Sequence, residues 1–110
     1  MNRFDGRTAV ITGAASGFGL ELSRRAAREG MNVVMADVQA DALERAAAEV
    51  AALGAAVLPF RLDVAQGAEV EALGAATRER FGVPHLVVNN AGVASGGLIW
   101  EHSAQDWAWV

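Results

Sequence analysis

Between Gly13 and Gly19 the chain reads Gly-Ala-Ala-Ser-Gly-Phe-Gly, three glycines in seven residues, set between two patterns of different period. Upstream, Ala9-Val10-Ile11 is an uncharged apolar run. Downstream, from Leu20 onward, apolar residues recur at helical spacing. A strand that turns through glycines into a helix aims free backbone N–H groups and a positive helix end at one point, where an anion can sit. Each glycine has a physical role there. Gly13 permits a tight turn off the strand, Gly17 lets a ligand reach the backbone without meeting a Cβ, and Gly19 lets the helix pack closely on the sheet.

The rest of the chain repeats the alternation. Thr8 to Ile11 reads as a buried strand, and the first helix is predicted from about Gly17 to Glu29, with Phe18, Leu22 and Ala26 on its inner face. A second strand, Asn32 to Ala36, precedes a helix from about Ala40 to Leu53 whose stripe is Leu43, Ala46 or Ala47, and Val50. Ala56 to Leu62 is the third strand. Pro59 cannot donate to a ladder, which puts that strand at a sheet edge. The third helix spans about Gly67 to Phe81, with Val70, Leu73, Thr77 and Phe81 inward, and Leu86-Val87-Val88 is the fourth strand. A Gly/Ser-rich loop, Val93 to Leu98, follows, and Ser103 suits the N-cap of a last helix. Strands that are apolar on both faces and alternate with helices predict an α/β fold, a doubly wound parallel sheet of order 3-2-1-4 with helices on both faces. At 110 residues the chain holds one domain, 1–110.

Composition excludes several functions. The net charge is −4, and the nine basic residues, all arginine, are scattered, which argues against a nucleic-acid surface. The absence of cysteine removes disulfides and thiolate metal sites. The first residues show no apolar leader, and the longest nearly apolar stretch, Val50 to Phe60, is broken by Gly54 and Pro59, well short of the roughly 20 residues of a membrane helix. The expectation is a cytoplasmic protein with no nucleic-acid and no membrane partner. His85 and His102 lack a metal-ligand pattern and read as surface residues, so no metal site is assigned. Trp100, Trp107 and Trp109 suit packing or an oligomer face.

Asp37 ends the second strand 18 positions after Gly19, near the roughly 20 expected of a carboxylate that binds an adenosine ribose. Such a carboxylate accepts bonds from both ribose hydroxyls and repels a 2′-phosphate. Neither Val38 nor Ser16 supplies a cation, so NAD is favoured over NADP. Asp63 closes the third strand, where it can also cap the next helix. Asn89 and Asn90 close the fourth strand, at the switch point between strands one and four where open α/β sheets bind ligands. Asn89 suits a structural bond to a neighbouring strand as well as a ligand contact. Asn90, Ala91 and Gly92 suit close approach of a cofactor.

Thr-Gly-x-x-x-Gly-x-Gly at Thr12 to Gly19, then Asp63-Val64, then Asn89-Asn90-Ala91-Gly92, resembles the short-chain dehydrogenase/reductase family in motif and order. The resemblance implies a Rossmann-type sheet and an oxidoreductase that moves hydride between NAD and a secondary alcohol or ketone. It implies cofactor contacts at Gly13, Ser16, Gly17, Phe18, Gly19, Asp37, Asp63, Val64, Asn90, Ala91 and Gly92, with Asp63 facing the adenine amine and Val64 packing on its ring. His85 departs from the family's more usual acidic residue. The family's acid/base pair, Tyr-x-x-x-Lys, has no counterpart, because the chain contains no tyrosine and no lysine. Ser95 and Ser103 do not match the family's catalytic serine, so no catalytic residue is assigned. The expectation is the N-terminal, cofactor-binding part of a longer and homo-oligomeric enzyme, weakly stable or self-associating alone. The alternatives are a dinucleotide-binding module without turnover and an S-adenosylmethionine methyltransferase; Asn-Asn-Ala-Gly speaks against the second.

Overall fold

Alternation along the strands decides how the sheet is clothed. In the computed structural model, which describes residues 4–63 and 67–90, the chain runs β1 (Thr8–Thr12), α1 (Gly17–Arg28), β2 (Asn32–Asp37), α2 (Ala40–Ala51), β3 (Val57–Arg61), α3 (Gly67–Phe81) and β4 (Leu86–Val88). The strands form one sheet in the order β3-β2-β1-β4, and every pairing is parallel. Ala9, Ile11, Val33 and Met35 point to one face, where Ala26 and Ala27 of α1 and Leu43, Ala46, Ala47 and Val50 of α2 cover them. Val10, Val34, Ala36 and Val87 point to the other face, packed with Leu62 and with Val70 and Leu73 of α3. Successive residues therefore bury in opposite layers, so β1 is buried at every position.

The expected doubly wound sheet is the observed one. β3 lies at the edge, and Pro59 is exposed there opposite Met35. The α2 stripe falls on the expected residues, and Val70, Leu73 and Thr77 of α3 are buried with Gly74 beside them.

Two expectations need correction. The inner face of α1 is Gly19, Ser23, Ala26 and Ala27, while Leu22 is half-buried and Phe18 is 67% exposed. The spacing of four is kept but the stripe is turned by one residue, onto the face that carries the small side chains. His85, expected at the surface, is half-buried. Its N–H donates to the Thr8 carbonyl at 2.8 Å, and its Nδ1 accepts the Thr8 N–H at 3.2 Å. The imidazole thus extends the β1–β4 pairing by one backbone donor that would otherwise lack a strand partner.

Candidate functional site

Where β1, β2 and β4 end at their carboxyl side, the turn from Gly13 to Ser16 leaves the sheet and enters α1. Gly13 and Gly17 have φ of +64° and +58°, a left-handed backbone that an L side chain adopts only with strain. Ser16, the N-cap of α1, is extended and makes no side-chain capping bond, and the first turn of α1 carries no acidic residue. The leading N–H groups of α1 and its positive end therefore face the cleft without a protein anion on the helix to neutralise them. A Cβ at Gly17 would meet nothing within 4 Å, so the approach to this backbone is open. Gly19 is different. A Cβ there would land on the Gly13 carbonyl and lie 2.8 Å from Asn90 Nδ2. The expectation that Gly19 lets α1 pack on the sheet is thus refined, since the close neighbour is the turn itself.

Asp37, half-buried at the end of β2, stands across the turn. Its Oδ2 accepts the Ala15 N–H at 3.0 Å and its Oδ1 accepts the Gln39 N–H at 3.1 Å. Each carboxylate oxygen has a second acceptor site, so these bonds leave capacity for hydroxyl donors. Val38, beside it, is 47% exposed and apolar.

On the other flank Thr12, 1% exposed, joins β1 to β4. Its Oγ1 accepts the Asn90 N–H at 2.9 Å, and its hydroxyl proton is shared between the Val88 carbonyl and Asn89 Oδ1, each at 3.3 Å. Asn89 therefore has the strand-to-strand bond allowed for it, and Asn90 Nδ2 reaches the Gly13 carbonyl at 3.4 Å. The local sequence pattern does not mark Thr12 as a site residue, because its partners lie at the end of β4, far along the chain. The register pairs Ile11 with Val88, so the next residues, Thr12 and Asn89, must meet. Asp63 is half-buried, and its N–H donates to Glu69 Oε1 at 3.0 Å, which draws the start of α3 back to the end of β3.

These groups enclose a cleft of about 450 Å³, to which Gly13, Ser16, Asp37, Asp63 and Asn90 all contribute. The structure thus gathers five of the expected residues around one space and sets Gly17, Phe18 and Gly19 at the helix end above it. Val64, Ala91 and Gly92 lie outside the described residues, as do Ser95, His102, Ser103 and the three tryptophans. A second hollow, between α1 and the β4 edge, is lined chiefly by apolar side chains such as Ile11, Leu22, Met31 and Val88, with Arg25 and Glu29 at its rim. Among the described residues no three His, Cys, Asp or Glu side chains gather as metal ligands, and no helix is long and apolar enough to cross a membrane.

Comparison with known proteins gives this geometry a context. A family model described as short chain dehydrogenase matches residues 7–110. A 1-deoxy-11-beta-hydroxypentalenate dehydrogenase from Streptomyces exfoliatus is 50% identical over 97 residues, which cover 86% of this chain and 35% of that protein. The crystal structure of a short chain dehydrogenase/reductase from Burkholderia phymatum in complex with NAD is 53% identical, with a TM-score of 0.80, over 100% of this chain and 39% of that one. An L-sorbose reductase from Gluconobacter frateurii, solved with NADPH and L-sorbose, is 39% identical, with a TM-score of 0.77, over 81% of this chain and 34% of that one. The chain spans less than two-fifths of the length of each.

Proposed function

The chain belongs to the short-chain dehydrogenase family, and from that premise we propose that it forms the dinucleotide-binding part of an NAD-dependent oxidoreductase, domain 1–110. The observation that carries the proposal is the pairing of an uncapped α1 N-terminus with the Asp37 carboxylate across one cleft. The residues fit a dinucleotide. The open backbone at Gly17 admits a diphosphate, and the N–H groups of the first turn of α1 hold its charge. Asp37 accepts the adenosine ribose hydroxyls on its remaining lone pairs. Asp63 and Asn90 line the two flanks of the cleft, where they would meet the adenine and the second ribose. When bound, the nicotinamide supplies the hydride acceptor or donor for a secondary alcohol or ketone.

What this chain's residues do is bind and orient. The Thr12 hydroxyl fixes the end of β4 against β1, so Asn90 and the turn keep one spacing. Proton transfer at the substrate is assigned to no residue here, since the chain contains neither tyrosine nor lysine. A second reading is a dinucleotide-binding module without turnover; alcohol-dependent reduction of NAD by the natural protein that carries this sequence separates the two.

The preference for NAD rests on charge. A 2′-phosphate would stand against the Asp37 carboxylate, with Val38 and Ser16 offering it no cation. Both NAD and NADPH complexes occur among the similar structures, so the fold leaves the choice to these side chains. Calorimetric titration is expected to show NAD binding more tightly than NADP by about tenfold or more, since juxtaposed like charges cost several kcal/mol unless screened or displaced. Equal or tighter NADP binding would overturn the preference, and no binding of either would overturn the function.

A further inference from the structure

We propose that Asp37 is a positioning residue for the diphosphate-binding turn, beyond its acceptor role toward the sugar; the inference rests on the dinucleotide reading of the cleft. The turn is tied to β2 by two consecutive backbone donors. The Ala14 N–H donates to the Ala36 carbonyl at 3.1 Å, and the Ala15 N–H donates to Asp37 Oδ2 at 3.0 Å. The first bond is main chain to main chain and survives any side-chain change. The second belongs to a side chain and can be removed.

The two bonds do different work. Ala14 is fully buried and fixes where the turn leaves the sheet, whereas Ala15 is half-buried and immediately precedes Ser16 and the left-handed Gly17. Past Ala14, the Asp37 carboxylate is the side-chain anchor that sets the direction in which the turn presents the first N–H groups of α1. The other oxygen of Asp37 is held by the Gln39 N–H, which fixes the rotation of the carboxylate and hence the place of Oδ2. The same group thus sets two distances at once, from the carboxylate to the sugar and from the turn to the diphosphate.

One consequence separates this role from sugar binding. Removing the carboxylate weakens the grip on a ligand that has no sugar hydroxyls to offer. The probe is NAD whose adenosine sugar lacks the 2′- and 3′-hydroxyls, beside NAD itself, each titrated calorimetrically into the purified wild-type chain and into the Asp37→Ala and Asp37→Asn variants. Asp37→Ala is expected to bind the dideoxy analogue about fivefold to tenfold more weakly than wild type, the usual cost of one lost hydrogen bond. Asp37→Asn keeps one carbonyl oxygen for the two N–H groups of Ala15 and Gln39, and its Nδ2 donor opposes whichever is left, so its analogue affinity is expected to fall between those of wild type and Asp37→Ala. In the ligand-free protein, amide exchange at Ala15 should speed up in Asp37→Ala while that at Val34 in mid-strand stays unchanged, a local signature that a general loss of stability would not give. Equal analogue affinity in wild type and Asp37→Ala, with NAD affinity reduced, would overturn the positioning role and leave the proposed function standing. Failure of wild type to bind either ligand would overturn that function and this role with it. Should Asp37→Ala not fold, Asp37→Asn decides: Ala15 exchange and analogue affinity that change together, or both stay as in wild type, support the role, and a change in one without the other overturns it.

Discussion

Replacing Gly17 or Gly19 by alanine makes the same chemical change two residues apart, and the structure assigns each a different cost. At Gly19 the added methyl falls on the Gly13 carbonyl and near Asn90 Nδ2. Backbone or neighbour must shift, and overpacking of this kind costs about 1–3 kcal/mol. Alanine returns at most about 1 kcal/mol of helix propensity, and less this close to the helix end. The net loss is about 1–2 kcal/mol, which lowers the melting temperature of a domain this size by about 5–15 °C. At Gly17 there is space, but φ is +58°, and a side chain there costs about 1–2 kcal/mol in backbone strain alone. The two alanine variants should therefore melt alike, and asparagine tells them apart. Asparagine tolerates the left-handed region, so Gly17→Asn should recover much of the loss. It is bulkier than alanine, so Gly19→Asn should be worse than Gly19→Ala. Thermal melts of the four variants check this. Rescue by asparagine at 19, or none at 17, would refute the assignment of close approach to one glycine and left-handed backbone to the other.

Two further outcomes follow from single bonds. Thr12→Val keeps the volume but strips the Asn90 N–H of its acceptor, and because Asn90 is exposed and water can take the place, the loss is the net worth of a hydrogen bond, about 0.5–1.5 kcal/mol; a change under about 0.5 kcal/mol in denaturant melts would show that the hydroxyl does not hold β4 to β1. The hydrogen bond from Arg24 to Glu49, which joins α1 to α2, holds the Glu49 carboxyl below its ordinary range. A carboxyl lowered in the folded state stabilises above its unfolded pKa and loses that contribution as pH falls through the folded value. The gap in melting temperature between wild type and Glu49→Gln should be small at neutral pH, because both groups are exposed, and should close in acid; a gap that widens in acid would contradict it.

Much of this was legible in the sequence because burial on both faces leaves a plain mark. Val33-Val34-Met35-Ala36 can be uncharged throughout only if helices cover both sides, and Pro59 names its own strand as an edge. The glycines and Asp37 were legible because their roles are backbone roles with fixed spacing. The rotation of α1 was not. A stripe drawn through the largest apolar residues selects Phe18 and Leu22, whereas the buried face is the one that carries Gly19, Ser23 and two alanines. His85 and Thr12 escaped for another reason. Each bonds to a strand more than seventy residues away, and only the register, not the local pattern, brings the partners together.

That register also bears on how cofactor preference could change in such a fold. Structures solved with NAD and with NADPH both resemble this chain, and under the proposed function the choice falls to side chains at the rim of the cleft. A rim residue that only touched the sugar could be exchanged freely, and preference would follow charge alone. Asp37 also accepts the Ala15 N–H, so under the proposed function the carboxylate that would exclude a 2′-phosphate is coupled to the turn that would receive the diphosphate. Under that coupling, neutralising position 37 to admit NADP lowers the affinity for both dinucleotides unless the new residue still presents an acceptor to Ala15. Asparagine meets that condition only in the amide orientation that gives up the Gln39 N–H, and alanine in none, which makes the acceptors presented at 37, rather than charge alone, the quantity that a change of preference has to satisfy.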